Sequence, residues 1–246
     1  TGSGYSRIST VFYETPLLRS RPFWLDIARL QVGLFLFGLA ISLMLEARIG
    51  LDPWSAFHEV VSERSGLSFG RIAQVTGLVL IVFSRVALSV RPGIATVLNM
   101  LLIGPWVDLI RPYVDFADGF GPGVVQFLVA IPMLGVGTAV YIGASLGAGP
   151  RDGLAMGLSR TIGRSLRASR IGVEVTVLVV AAILGGSIGW GTLIFALLMG
   201  PTMQACLRVF RVSHDPSPTY RRYGVRPPHT GGVGHELTPT SHSTES

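Results

Sequence analysis

The chain has 246 residues, of which 49% are apolar and 14% charged, and its mean hydropathy is +0.53. That balance excludes an ordinary water-soluble domain, and apolar stretches recurring from about Leu30 to Phe210 mark a multi-pass membrane protein. All 20 basic residues are arginine, against 14 acids, but they sit between apolar runs, where positive-inside topology explains them better than nucleic-acid binding does.

Residues 1–27 are polar and aromatic, with Arg7, Arg19 and Arg21, and lack the basic, apolar, small-residue order of a cleavable signal peptide. They are expected to stay in the cytoplasm, with the first span acting as the insertion signal. Six stretches then qualify as spans, at about 30–47, 71–90, 93–110, 122–146, 171–188 and 190–209. Each approaches the ~20 residues a helix needs to cross ~30 Å of hydrocarbon. Pro132 inside the fourth is tolerated where neighbouring helices satisfy the backbone. Beyond Arg211 the chain is rich in Ser, Thr, Pro and His, so residues 212–246 read as a disordered cytoplasmic tail.

Between the first two spans lies "GLDPWSAFHEVVSERSG", starting at Gly50, and between the fourth and fifth "GAGPRDGLAMGLSRTIG", starting at Gly147. Each is punctuated as one short helix. Asp52 or Gly149 stands at the N-cap, Pro53 or Pro150 at the first helical position, and Gly66 or Gly163 at the C-terminal end. A helix from Pro53 to Ser65 or from Pro150 to Ile162 reaches only ~20 Å, too short for a span. Both are expected to be re-entrant or interfacial half-helices. On the first, Trp54, Phe57 and Val61 share one face and His58, Glu59, Ser62 and Glu63 another, the pattern of an amphipathic helix with a solvated side.

The likeness of these two segments extends along the chain. Gly50, Pro53, Gly66 and Ser68 recur as Gly147, Pro150, Gly163 and Ser165, and Arg71-Ile72 recurs, slightly shifted, as Arg170-Ile171. "GIATVLNMLLIGP" from Gly93 matches "GWGTLIFALLMGP" from Gly189. The chain is an internal duplication, 28–112 and 113–211, each copy carrying three spans and a half-helix. Three is odd, so the second copy is expected to enter the membrane inverted. With both termini inside, sixteen arginines fall on cytoplasmic segments and only Arg48, Arg64, Arg71 and Arg111 fall outside. The half-helix starts then belong to opposite sides, Asp52 outside and Arg151 inside. The fold class expected is therefore all-α and integral to the membrane, with six transmembrane helices as a 3+3 inverted repeat and two half-helices.

"GLDPWSAFHEVVSERSGLSFG", "GAGPRDGL" and "GTLIFALLMGP" resemble the YczE/YitT-type multi-pass membrane proteins of bacteria, over about residues 30–210. "GAGPRDG" is the most specific element of the resemblance. It implies a small integral protein of the bacterial plasma membrane and supplies no substrate or catalytic residue.

The candidate site residues are polar groups where the membrane makes them costly. Glu46 interrupts a small-residue stripe, Gly38, Ser42 and Gly50, whose counterpart is Gly135, Ala139, Gly143 and Gly147. Arg48 lies close enough in sequence to pair with it. Asp108 has Arg111 as a ready partner, and Glu174 has Arg167 and Arg170. Asp52 already fills its N-cap, whereas Arg151, beside Asp152, adds to the positive end of the second half-helix and suits an anion. A local Arg151–Asp152 pair or a lipid head group would satisfy the arginine equally well. Thr96 and Thr192, at matching places in the repeat, are expected to pack or bond backbone, as Asn99 and Gln126 are expected to bond between helices.

Other patterns are weaker. His58-Glu59 lacks a second histidine at ligand spacing and has no HExxH pattern, so no metal is expected and the pair reads as part of a solvated face. "GASLG" and "GGSIG" match G-x-S-x-G without a strand before them or a completing triad. The lone Cys206 excludes a disulfide within the chain.

Inverted repeats with broken or half-length helices are a transporter signature. The function expected is alternating-access transport of a small-molecule or lipid-like substrate, anionic if it docks at Arg151. Glu46, Asp52, Arg151, Asp152 and Glu174 would form the site, and Gly50, Pro53, Gly66, Gly147, Pro150, Gly163, Thr96 and Thr192 would be structural. Neither enzymatic chemistry nor a cofactor is expected. The lipid bilayer is the obligatory partner, and nucleic acid is not one. The alternative is an accessory protein that supports a membrane-protein partner without transporting.

Overall fold

The computed structural model describes residues 21–115, 119–144 and 146–210, so the tail at 212–246 and most of the first segment lie outside the described residues. The described chain forms α1 (Arg21–Ala47), α2 (Pro53–Ser65), α3 (Phe69–Ala87), α4 (Ile94–Ile110), α5 (Phe120–Gly143), α6 (Pro150–Ile162), α7 (Leu166–Ile183) and α8 (Trp190–Val209), with a 3-10 turn at Arg111–Tyr113. Among the described residues, five helices are long and apolar enough to cross a membrane: α1, α3, α4 with its 3-10 extension, α5 and α8. The 18-residue α7 is not among them, because Arg167, Arg170 and Glu174 occupy its first half.

Two boundaries differ from the expectation for identifiable reasons. The first span starts at Phe23, not near residue 30. Asp26 is 2% exposed and accepts from Arg29 at 3.5 Å, so the charges that looked like a boundary bond one turn apart inside the helix. α7 begins at Leu166, not near 171, because the Ser165 side chain accepts the N–H of Ala168 at 3.2 Å. Its end is correspondingly early, with Gly185 in a left-handed conformation at φ 76°.

The core lies between α1 and α5, whose buried Leu30, Leu34, Ile41, Met44, Phe127, Ile131 and Leu134 interdigitate. The helices cross backbone to backbone at Gly33 and Gly137, where a Cβ would stand 2.6 Å from Tyr141 N or 2.9 Å from Phe37 N. The small-residue stripe read from the sequence has a different use. Gly38 admits Trp106 of α4 and Gly135 admits Thr202 and Cys206 of α8, so the stripe seats the last helix of each half.

Packing recurs in matched pairs. α1 on α4 is matched by α5 on α8, α2 on α3 by α6 on α7, and α2 on α7 by α3 on α6. The last of these pairs is exchanged, each half-helix lying on a long helix of the other half. The loops before the half-helices are exchanged too. Gly191 N–H donates to Ile49 O at 2.8 Å, and Ala95 N–H donates to Leu146 O at 3.0 Å. Leu51 N–H donates to Thr192 Oγ1 at 3.2 Å, while Thr96 Oγ1 donates to Ala148 O at 2.6 Å. Gly50 and Gly147 hold φ values of 140° and 125° at these crossings, which side chains rarely adopt.

Candidate functional site

The punctuation of the half-helices places the site. In α2 the Asp52 carboxylate accepts the N–H of Ser55 at 3.3 Å, and in both short helices a left-handed glycine, Gly66 or Gly163, closes the end. The opening backbone N–H groups are thereby those of Trp54 and Ser55 in α2 and of Arg151 and Asp152 in α6, since the prolines carry none. The two N-terminal ends meet, with Arg151 Nη1 3.6 Å from Asp52 Oδ2.

Around this contact the charges are shared among four elements. Arg151 also stands over the rings of Trp54 and Phe37, at 5.2 and 5.8 Å from their centroids. It does not pair with Asp152. That carboxylate lies 3.4 Å from Arg170 Nη2 of α7 and accepts from the Tyr141 hydroxyl of α5 at 3.2 Å. Glu174, one turn beyond Arg170, makes no ion pair within 4 Å among the described residues, and its field reaches Arg151, Arg170 and Asp52. Its contact with the buried indole N–H of Trp54 is looser than a well-formed hydrogen bond. Asp52 is 3% exposed and its second oxygen has no hydrogen-bond partner.

α2 is not the amphipathic helix that its sequence suggested. His58 is 6% exposed and packs edge-on to Phe69 at 5.5 Å, because α3 and α7 cover both flanks of a helix too short to present a free side. Burial, and after it the Arg151 guanidinium, push the imidazole down to about 3, so His58 is neutral at working pH. His58, Trp54, Arg151 and Asn99 line a cavity of about 30 Å³. A larger cavity of about 170 Å³ adjoins it at Pro150 and is walled by Ser84, Arg91, Thr96, Gly147 and Met156.

Glu46 stands apart from the other four candidates. Arg111, not Arg48, is its main partner: Arg111 Nε donates to Glu46 Oε1 at 2.8 Å and Nη2 lies 3.6 Å from Glu59, while Arg48 is 3.9 Å away. Burial raises the Glu59 carboxyl above its ordinary value, with Arg111 pulling against it. This triad ties the ends of α1 and α4 to α2. The matching positions of the second half are Gly143, Met156 and Leu207, which carry no charge. Asp108, which the sequence paired with Arg111, instead accepts the N–H of Gly70 at 2.9 Å, since α3 starts against α4 at that level. Gln126 does bond between helices, donating to Leu43 O at 3.2 Å.

Sequence reasoning thus named Asp52, Arg151, Asp152 and Glu174, which the fold brings together, and missed Tyr141, Phe37 and Trp54 as their neighbours. An aromatic in an apolar span gives no signal of its own. Arg170 had one, as the repeat partner of Arg71.

Comparison with known proteins agrees with this architecture. The family of unknown function DUF6198 matches residues 25–208. The chain is 33% identical over 169 residues to the uncharacterized membrane protein YczE of Bacillus subtilis (strain 168), covering 68% of this chain and 79% of that protein. It is 28% identical over 192 residues to an uncharacterized protein of Haemophilus influenzae (strain ATCC 51907 / DSM 11121 / KW20 / Rd), covering 77% and 87% respectively. It is 24% identical to the uncharacterized protein YyaS of Bacillus subtilis (strain 168), covering 69% and 86%. No solved structure matches. An all-helical chain with five membrane-length helices and a family match over most of its length belongs to the DUF6198 family, as a membrane protein of the YczE type.

Proposed function

We propose that the protein is a plasma-membrane carrier built as a 3+3 inverted repeat, with α7 as the sixth span and α2 and α6 as re-entrant half-helices. The observation that carries this reading is the Arg151–Asp52 contact, where two half-helix N-termini and a buried ion network converge. Half-helix ends at a repeat interface are where carriers of this architecture place their substrate. The matched exchange of contacts between the halves supports the inversion, since a rotation that swaps the copies also swaps the Gly191–Ile49 and Ala95–Leu146 bonds.

The two ends of the molecule differ as alternating access requires. Arg111 with Glu46 and Glu59 fastens the end near Gly50, while the 170 Å³ cavity lies at the Gly147 end and adjoins the site. The arginine bias makes the Gly147 end cytoplasmic, so this arrangement corresponds to an inward-facing state. An engineered apolar cavity of ~150 Å³ holds benzene, so the space favours a small solute over a lipid-like substrate. Arg151 and the two helix N-termini favour an anion, with Asp52 as the group the anion displaces.

Metabolite profiling of deletion and overexpression strains, followed by uptake of each hit into liposomes carrying the purified protein, tests the reading. Uptake should fall at least tenfold in Arg151→Gln and in Asp52→Asn. Full uptake in both variants would remove the site, and labelling of Gly50→Cys and Gly147→Cys from the same side would remove the inversion. The accessory reading draws on α8, whose Trp190, Leu193 and Leu197 face outward at 75%, 62% and 77% exposure. A stoichiometric membrane protein captured through that face, with no flux by the purified chain, would favour it.

A further inference from the structure

The charged groups at the half-helix junction do not balance. Three carboxylates, Asp52, Asp152 and Glu174, share the site with two guanidiniums, Arg151 and Arg170. Both arginines are already engaged, Arg151 with Asp52 and Arg170 with Asp152, and the Tyr141 hydroxyl gives its hydrogen bond to Asp152 as well. Glu174 is the acid left over. It is half-buried on α7, which packs on α2 and α6. The charges whose fields act on it are Arg151 from α6, Asp52 from α2 and Arg170 from its own helix, and the indole of Trp54 on α2 lies near it. His58, the other titratable group near this end of α2, is neutral and adds no charge. Glu59, in the middle of that helix, is held by Arg111.

A second observation points the same way. Asp52 Oδ1 is buried without a hydrogen-bond partner, and so is the hydroxyl of Ser55 on the same turn. Counting side chains alone, the network is thus one positive charge short at a place with polar atoms to spare, and a carboxylate without a cation of its own is disfavoured in a low-dielectric interior. A metal cation would need about six oxygen ligands, and no group of three or more His, Cys, Asp or Glu among the described residues has metal-binding spacing. A proton needs one oxygen.

We propose that Glu174 is a proton-binding site that neutralises this network. Its role as a coupling site rests on the carrier reading above. The step is a simple protonation, the carboxylate taking H⁺ from water to become a carboxylic acid, with no redox change. With Glu174 protonated, two carboxylates face two guanidiniums. An anion arriving at Arg151 then meets no excess negative charge, so proton and anion bind together and the coupling is symport.

Infrared difference spectra of the full chain in lipid nanodiscs, titrated from alkaline to mildly acidic pH, test the site. A protonated-carboxyl band should grow in wild type and be missing in Glu174→Gln. It should return, shifted in frequency, in Glu174→Asp. Arg151→Gln should move its midpoint to higher pH, because a stabilising cation is lost, and a merely structural role would not produce that shift. Persistence of the full band in Glu174→Gln overturns the proposal. So does its suppression when sodium chloride replaces N-methylglucamine chloride at the same ionic strength, which would assign the site to a metal cation. Absence of flux in the liposome assay with the band intact would instead overturn the carrier reading and leave the protonation site standing.

Discussion

At the scale of single residues, the two halves are joined by atoms with little tolerance. A Cβ at Gly50 would come 2.6 Å from Thr192 N, and its φ of 140° already disfavours any side chain. Gly147, at φ 125°, has Gly93 Cα 3.1 Å from the same position. Gly50→Ala and Gly147→Ala should each destabilise the protein by about 1–3 kcal/mol, the cost of forcing a residue into a sparsely populated backbone region. Thermal unfolding in detergent should show the loss, larger for Gly50→Ala because its clash is with backbone at closer range. His58 gives a second residue-scale expectation. Its folded pKa of about 3 lies below the ordinary imidazole value of 6.5, so only the unfolded chain takes up a proton between them. Stability is therefore fully present above pH ~6.5 and declines as pH falls toward ~3. His58→Phe should flatten that acid limb relative to wild type in melting curves taken across this window.

At the scale of elements, the half-helices show how little of a short helix is free once both flanks are covered. α2 has a sequence pattern of apolar and polar faces, yet Trp54, Ser55, Ala56, His58 and Val60 are all buried. The reason is contact with α3 of its own half and α7 of the other. The middle of α2 is fastened by Arg111, whose guanidinium spans Glu46 of α1 and Glu59 of α2. Both carboxylates are mostly buried, at 14% and 13% exposure, so removing their shared cation leaves two like charges uncompensated. Arg111→Leu, which copies the matching Leu207, should therefore lower the melting temperature. It should raise several-fold the rate at which an impermeant maleimide labels a Cys placed at Leu51. An unchanged labelling rate would show that this end is closed by packing alone.

At the scale of the molecule, each half is incomplete without the other. The N-terminus of α8 is bonded to the loop before α2, and the N-terminus of α4 to the loop before α6. The deepest packing, α1 against α5, likewise crosses between halves. Cutting the chain between Asp115 and Gly119 and producing the two pieces together should therefore yield a complex that co-purifies. Either piece produced alone should be degraded, and recovery of a folded monomeric half would contradict the exchange.

Much of this was legible from residue order. The half-helices begin at Pro53 and Pro150 and end before Gly66 and Gly163, because proline at a first helical position and a left-handed glycine at the end act within a few residues. Helix limits went wrong at Asp26 and at Ser165, where a neighbouring bond outweighed hydropathy. Ion partners were the least legible. Glu46 took Arg111 over Arg48, and Arg151 took Asp52 over Asp152, because an arginine reaches whatever acid the packing brings near it.

The sequence by itself therefore determined a membrane-embedded helical chain and the caps of its two short helices, since hydropathy, periodicity and capping are local properties. Only the tertiary structure decided that those caps meet. Asp52 and Arg151 lie far apart in the chain, and their contact depends on each short helix docking on a long helix distant in sequence, a choice made by the close crossing at Gly33 and Gly137 and the bonds at Thr96 and Thr192.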